Sequence, residues 1–140
     1  MRLVVLALAL VVAPLAAVAE PTLTEAQAIS AARAWVRAAQ AGNTGTLTKL
    51  STLPLPVDIQ MEGCKLDKTV SKAELARHTA CLKKSIGKVK WRDDRWKGAL
   101  KDGAWQVEQT LGDEGLWHIT LAITAGRVVR VQASFSFGGQ

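Results

Sequence analysis

Two long stretches of the chain carry apolar residues at the three- and four-residue spacing of an amphipathic helix. The first is predicted to begin after Thr24, which forms a Thr-x-x-Gln capping box with Gln27, and to end near Ala41. The second is predicted to begin after a capping box formed by Ser71 and Glu74. The buried stripe of this helix is expected at Leu75, Thr79, Leu82 and Ile86, with His78 at its flank. Gly87 is expected to provide a left-handed C-terminal cap.

The apolar spacing changes from a helical period to a period of two after Lys88, which predicts strands. Three strands are expected at residues 104–111, 116–123 and 128–137, with a less regular one at 89–96 and turns at 101–103, 112–115 and 124–127. Before the second helix, a short helix through Leu47 and Leu50 is predicted. Pro54 and Pro56 then favour an extended segment and a strand at 57–61.

This order of elements resembles the NTF2-like, or SnoaL-like, superfamily. The local pattern is also similar, because Ala41-Gly42-Asn43 is followed by Leu47, Leu50 and Leu53-Pro54. The resemblance implies an α+β cone in which N-terminal helices pack on a curved antiparallel sheet. It also implies a conical apolar pocket and homodimers through the outer face of the sheet. It implies no single function, because the fold hosts enzymes, transport adaptors and non-catalytic binders.

The first 19 residues have the order of a secretory signal. Arg2 precedes an apolar run over 3–12, and Ala17-Val18-Ala19 supplies a small-residue cleavage site before Glu20. The run is shorter than the ~20 residues of a membrane span. We therefore expect a cleavable signal peptide at 1–19, a single domain at 20–140, a secreted or periplasmic location and no membrane span.

Cys64 and Cys81 are the two cysteines of the chain. In an oxidising compartment an even pair indicates one disulfide. A metal site formed by these cysteines and His78 is the alternative, but the spacing matches no zinc pattern and the ligand count is short. Phosphate loops and dinucleotide-binding glycine patterns are missing. We expect a disulfide, no metal and no cofactor.

The net charge of +6 favours anionic partners. For an exported protein these are anionic glycans, lipid head groups or acidic proteins, and we expect no nucleic acid. Basic residues and Trp91 and Trp96 alternate through residues 83–101. This segment predicts either a basic module that binds an anionic polymer or a solvated face. We favour the second, with Lys83, Lys88, Lys90 and Lys97 serving solubility and edge protection.

Strand alternation predicts which ionisable side chains enter the cone. It places Asp58, Glu108 and His118 on the outer face of the sheet, so the predicted pocket holds no general acid or base. Strand alternation and, for Trp35, the helical spacing place four aromatic residues and one amide around the pocket. We predict these as ligand-binding residues: Trp35, Trp105, Gln109, Trp117 and Phe135.

The sequence therefore predicts a domain that binds an apolar small molecule or a protein partner without catalysis. A register error of one residue would reverse a strand and move its ionisable residue into the pocket. The alternative function is then that of a SnoaL-type isomerase, dehydratase or hydrolase.

Overall fold

The computed structural model describes residues 23–112 and 115–137; the predicted signal peptide lies outside them. The chain forms an α+β domain of three α-helices, one 3₁₀ helix and six strands within that part. The helices are α1 (Glu25–Ala41), α2 (Thr44–Leu50), α3 (Lys72–Lys84) and the 3₁₀ helix Ile86–Lys88. The strands are β1 (Leu55–Met61), β2 (Cys64–Val70), β3 (Lys97–Lys101), β4 (Ala104–Leu111), β5 (Gly115–Thr124) and β6 (Arg127–Phe137).

Both predicted capping boxes are present at the N-termini of the long helices. At α1, the Thr24 hydroxyl accepts from the Gln27 amide at 3.1 Å, and the Gln27 side chain accepts from the Thr24 amide at 2.8 Å. Ser71 and Glu74 make the same reciprocal pair at α3. Gly42 ends α1 with φ of 67°, a left-handed conformation that glycine adopts without a steric penalty. These local signals explain why the helix positions were predictable.

The six strands form one sheet in the order β2-β1-β6-β5-β4-β3. All neighbouring pairs are antiparallel except β1 and β6, which are parallel. The predicted α+β architecture of helices on an antiparallel sheet is therefore confirmed, and the one parallel pair makes the sheet mixed. The parallel pairing is possible because the connection between β1 and β6 runs through the rest of the chain and is not a hairpin.

The predicted strands differ from the observed ones at two places. Strand β2 was not predicted, because Lys68 stands at an inward position and interrupts the alternation of Cys64, Leu66 and Val70; a charged side chain is tolerated there because β2 is an edge strand. Residues 89–96 do not form a strand, and the edge strand begins at Lys97 instead.

Gly87 does not supply the predicted left-handed cap of α3. It lies inside the 3₁₀ helix. A Cβ at this position would lie 3.1 Å from both Ala39 O and Gln40 Cα, so glycine permits this turn to approach the backbone of α1. Ser85 ends α3, and its hydroxyl donates to Cys81 O at 2.9 Å.

The helices cover the concave face of the sheet and enclose the core. The predicted stripe of α3 is buried, with Leu75 and Leu82 each 1% exposed. The predicted facing of β4 and β5 is confirmed, because the inward residues at their centres are buried. In the sheet Val107 lies opposite Leu121, and Gln109 lies opposite Ile119. The resulting cone is closed by α1 and remains open near the C-terminal end of α3.

Acid is expected to remove a stabilising contribution of Glu74 at the start of α3. Hydrogen bonds from the Lys68 ammonium and the Ser71 amide lower the pKa of Glu74 from 4.5 to about 2. A lowered pKa in the folded state stabilises the protein above the unfolded-state pKa, and this contribution is lost as the pH falls from about 4.5 to about 2. Thermal unfolding of the wild type and Glu74→Gln should therefore show a difference in Tm at pH 6 that shrinks toward pH 2. A difference that stays constant over this range would contradict the assignment.

Candidate functional site

A cavity of about 620 Å³ opens at the edge of the sheet where β1, β4 and β6 end and β5 begins. Met61, Leu111, Trp117 and Phe135 contribute one inward side chain from each of these strand ends. The other wall is formed by the end of α3 and by the segment that follows it. The volume lies within the range of about 300–1,000 Å³ that is typical of small-molecule sites.

The floor of the cavity is apolar and partly aromatic. The Trp117 and Phe135 rings lie 4.8 Å apart between centroids, and Phe135 makes an edge contact with Phe137 at 5.3 Å. A Cβ at Gly115 would overlap the Phe135 ring, so glycine at the start of β5 gives this ring its position. Val89 closes the floor on the opposite side. Such a surface suits a flat or aliphatic apolar molecule.

The Cys64–Cys81 disulfide fastens one wall of this cavity. It joins β2 to α3 across a sequence separation of 17 residues, with the two Cα atoms 5.0 Å apart. Glu62 and Gly63, which immediately precede Cys64, line the cavity together with Lys84 at the end of α3. The disulfide therefore holds the β1–β2 turn against the helix whose last residues form the cavity mouth.

The mouth of the cavity is charged. Exposed lysines at three positions, Lys84, Lys88 and Lys90, line it together with the exposed carboxylate of Glu62. Ser85, between the first two lysines, is buried and uses its hydroxyl within α3. The site thus combines an apolar interior with a predominantly basic rim.

Two of the five predicted ligand-binding residues line this cavity, Trp117 and Phe135. The expectation that Trp35 also lines it is corrected, because Trp35 lies on the inner face of α1, is completely buried, and donates from Nε1 to Ser51 Oγ at 3.0 Å. Trp105 lies at the opposite end of β4 from Leu111, about 20 Å away along the strand. Its Nε1 donates to Leu23 O at 2.9 Å.

Gln109 is likewise not part of the cavity lining. Its side-chain oxygen accepts from the Arg92 amide at 2.7 Å, and its nitrogen donates to Arg92 O at 2.9 Å. Gln109, which the sequence predicts as a ligand-binding residue, therefore contacts the backbone of a neighbouring segment instead. This pair of hydrogen bonds fixes the segment 89–96 against β4 without strand pairing. The same segment places Val89 and Lys90 at the cavity.

The sequence analysis does not identify Met61, Val89 and Leu111 as lining residues. Met61 and Leu111 are the last residues of β1 and β4. These two residues lie at the same end of the sheet because β1 and β4 both run parallel to β6, and this arrangement depends on long-range strand pairing. The approach of Val89 depends on long-range packing and has no local signal.

The ionisable residues considered for catalysis are placed outside the cavity. His118 lies on the outer face of the sheet between two threonines, with Nδ1 2.7 Å from Thr110 Oγ1 and Nε2 2.9 Å from Thr120 Oγ1. Its Nε2 is 3.7 Å from Glu108 Oε1. Asp58 lies on the same face, while His78 is half-buried on α3. The predicted outward placement of Asp58, Glu108 and His118 is confirmed.

The outer face, among the described residues, carries shallow depressions of about 750, 160 and 200 Å³. The largest depression exceeds the cone cavity in volume, but Glu108, Arg130 and Gln132 are among its lining residues. We select the cone cavity as the candidate site because it has the apolar floor that small-molecule sites usually have. Dimerisation through the outer face stays a prediction.

Metal binding by the cysteines is excluded by their disulfide. Across residues 23–112 and 115–137, no three His, Cys, Asp or Glu side chains are grouped so that they could hold a metal ion. Among the described helices, none is long and apolar enough to cross a membrane.

The two tryptophans of the basic segment at 83–101 pack against the domain. Trp91 donates from Nε1 to Ile86 O at 3.0 Å, and Trp96 is buried.

The helices, the mixed sheet and the open cone together define the NTF2-like fold. The chain is similar to the crystal structure of an NTF2-like protein from Burkholderia xenovorans LB400 (TM-score 0.54, 14% identity, covering 81% of this chain and 92% of that chain). A de novo designed protein with a curved β-sheet has a TM-score of 0.49 and 14% identity over 80% of this chain and 87% of its own. No family model matches the sequence, and no curated protein matches it.

Proposed function

We propose that this protein binds an apolar small molecule in the cone cavity and does so without catalysis. The observation that carries the proposal is the 620 Å³ cavity whose floor is formed by Met61, Val89, Leu111, Trp117 and Phe135. Burial of a ligand's apolar surface against these side chains releases ordered water and supplies about 25 cal/mol per Å². The Trp117 and Phe135 rings add a flat surface on which a ring or chain can pack.

Binding without turnover is supported by the chemistry of the lining. The ionisable side chains that line the cavity are Glu62, Lys84, Lys88 and Lys90, and all four are exposed to solvent at the mouth. A general acid or base for proton transfer is usually tuned by burial in the site. Asp58, Glu108 and His118, which an isomerase or dehydratase would need inside, lie on the other face of the sheet.

We further propose that the domain works outside the cytoplasm and is homologous to the NTF2-like superfamily. The Cys64–Cys81 disulfide supports export, because disulfides persist in oxidising compartments. The signal-like segment at 1–19 also supports export. Homology is supported by the shared fold and by the local pattern from Ala41 to Pro54.

The neutral fluorescent probe N-phenyl-1-naphthylamine is expected to bind at one saturable site, with a rise in probe emission. Leu111→Glu should weaken this binding about tenfold or more, because an apolar ligand would desolvate the new carboxylate. Leu100→Glu is the matched control. Leu100 lies on the edge strand β3, is 53% exposed and does not line the cavity.

Near-ultraviolet circular dichroism of both variants checks that each retains wild-type packing. Equal loss of probe binding in Leu111→Glu and Leu100→Glu would place the probe elsewhere, and no saturable binding to the wild type would refute the proposed function.

A further inference from the structure

We propose that the ligand of the cone cavity is an amphipathic anion. Its apolar body lies on the floor, and a single anionic head group contacts Lys84, Lys88 and Lys90 at the mouth. This inference rests on the proposed function and adds the chemical class of the ligand. It follows from how the three lysines are held, from their charge balance and from the position of other lysines in the fold.

The three lysines are held by a short segment that alternates between the core and the mouth. Lys84 is the last residue of α3, Lys88 is the last residue of the 3₁₀ helix, and Lys90 follows two residues later. Of the four residues between them, Ser85, Ile86 and Val89 are buried and Gly87 is half-buried. Backbone hydrogen bonds from Lys88 N to Ser85 O at 3.1 Å and from Val89 N to Ile86 O at 3.3 Å fix this segment. The lysines are therefore presented to one opening by a rigid backbone.

The charge at the mouth is unbalanced among the described residues. Three ammonium groups and one carboxylate, that of Glu62, line the opening. Within residues 23–112 and 115–137, no ion pair within 4.0 Å joins Lys84, Lys88 or Lys90 to a carboxylate. By contrast, Lys68 pairs with Glu74 at the other end of α3. The turn residues Asp113 and Glu114 lie outside the described residues. An anionic group at the mouth would offset the mutual repulsion of the lysines and accept charge-assisted hydrogen bonds.

Edge protection does not explain these lysines. The two edge strands of the sheet are β2 and β3, and each carries its own lysines: Lys65 and Lys68 on β2, and Lys97 and Lys101 on β3. Lys84, Lys88 and Lys90 lie on no strand. The earlier expectation of edge protection fits Lys97, but Lys88 and Lys90 border an apolar opening, where a positive charge selects the head group of the molecule that enters.

A matched pair of probes separates the head group from the body. The probe 1-anilinonaphthalene-8-sulfonate has the same ring system as N-phenyl-1-naphthylamine and one added sulfonate. Binding of both is measured to the wild type and to Lys84→Gln/Lys88→Gln/Lys90→Gln in low salt. The triple variant should bind the sulfonate about tenfold more weakly than the wild type and the neutral probe within about twofold of it. About 0.5 M salt should reduce only the wild-type affinity for the sulfonate.

A second triple variant, Lys49→Gln/Lys65→Gln/Lys72→Gln, has the same net charge but alters exposed lysines that do not line the cavity. It should bind both probes like the wild type. Displacement of N-phenyl-1-naphthylamine by natural amphiphiles repeats the comparison. Dodecanoate should bind the Lys84→Gln/Lys88→Gln/Lys90→Gln variant, the cavity-lysine variant, more weakly than the wild type, and 1-dodecanol should bind both proteins equally.

Each outcome of these titrations has a defined meaning. Retention of sulfonate and dodecanoate affinity in the cavity-lysine variant, with the neutral probe still bound, would overturn the anionic ligand and leave the proposed function intact. Failure of both probes to bind the wild type would overturn the proposed function itself. Equal loss in the two triple variants would assign the effect to overall charge and overturn the inference. Lysine-dependent co-sedimentation with phosphatidylglycerol vesicles, without saturable probe binding, would assign the lysines to a membrane surface.

Discussion

Replacement of Trp35 by alanine is expected to lower the free energy of unfolding by about 3–5 kcal/mol, the usual loss for a large aromatic residue removed from a core. Trp35 is completely buried, and its Nε1 donates to Ser51 Oγ, which in turn donates to Leu47 O at 2.7 Å. The variant would lose the packing of this α1 side chain in the core and leave the Ser51 hydroxyl with one hydrogen-bond partner fewer. Urea denaturation followed by far-ultraviolet circular dichroism measures this loss.

Trp117→Ala is the matched comparison, because this tryptophan is half-buried at the cavity. We expect less than half of the stability loss of Trp35→Ala together with a clear loss of probe binding. A Trp35→Ala protein of nearly wild-type stability that no longer binds the probe would reverse these assignments.

Removal of the Cys64–Cys81 disulfide is the second large effect that the structure predicts. The Cys64→Ala/Cys81→Ala variant should lose about 3 kcal/mol of stability on the loop-entropy estimate for a closed loop of this size. Urea denaturation of the variant, compared with the oxidised wild type, measures this difference. A reductant should lower the stability of the wild type by a similar amount and leave the variant unchanged.

The disulfide should also affect ligand binding, since it holds the β1–β2 turn against the end of α3 beside the cavity mouth. We expect weaker binding of N-phenyl-1-naphthylamine to the double variant under conditions in which it remains folded. Thiol counting on denatured, unreduced protein from its native compartment provides the chemical check. Two reactive thiols would contradict the disulfide, and zinc released from the same sample would support a metal site instead.

The parts of the fold that were predictable from sequence are those with local signals. The capping boxes at Thr24 and Ser71 located the long helices, and two-residue turns with positive φ at Asp102-Gly103 and Ala125-Gly126 located the hairpins. Period-two alternation assigned the faces of β4 and β5, which is why His118 was correctly placed outside. These features depend on residues close together in sequence.

The remaining features depend on tertiary contacts. Strand β2 is polar enough to resemble a loop, and it exists because β1 offers it a partner along seven residue pairs. The segment 89–96 alternates like a strand, yet Gln109 binds its backbone through a side chain. Trp35 on α1 and Trp105 on β4 point inward as predicted, but neither helical spacing nor strand alternation says how far along the cone a residue lies. The cavity was therefore only partly predictable.

The most direct test of the cavity as the binding site is an NMR titration of the indole N–H signals of the five tryptophans with N-phenyl-1-naphthylamine. The cavity predicts a saturable shift of the Trp117 indole, accompanied by the backbone amides of Val89 and Leu111. The indole N–H signals of Trp35 and Trp105 should not shift, because these groups donate to Ser51 Oγ and Leu23 O away from the cavity. Shifts that instead cluster around His118 on the outer face, with Trp117 unmoved, would contradict the account.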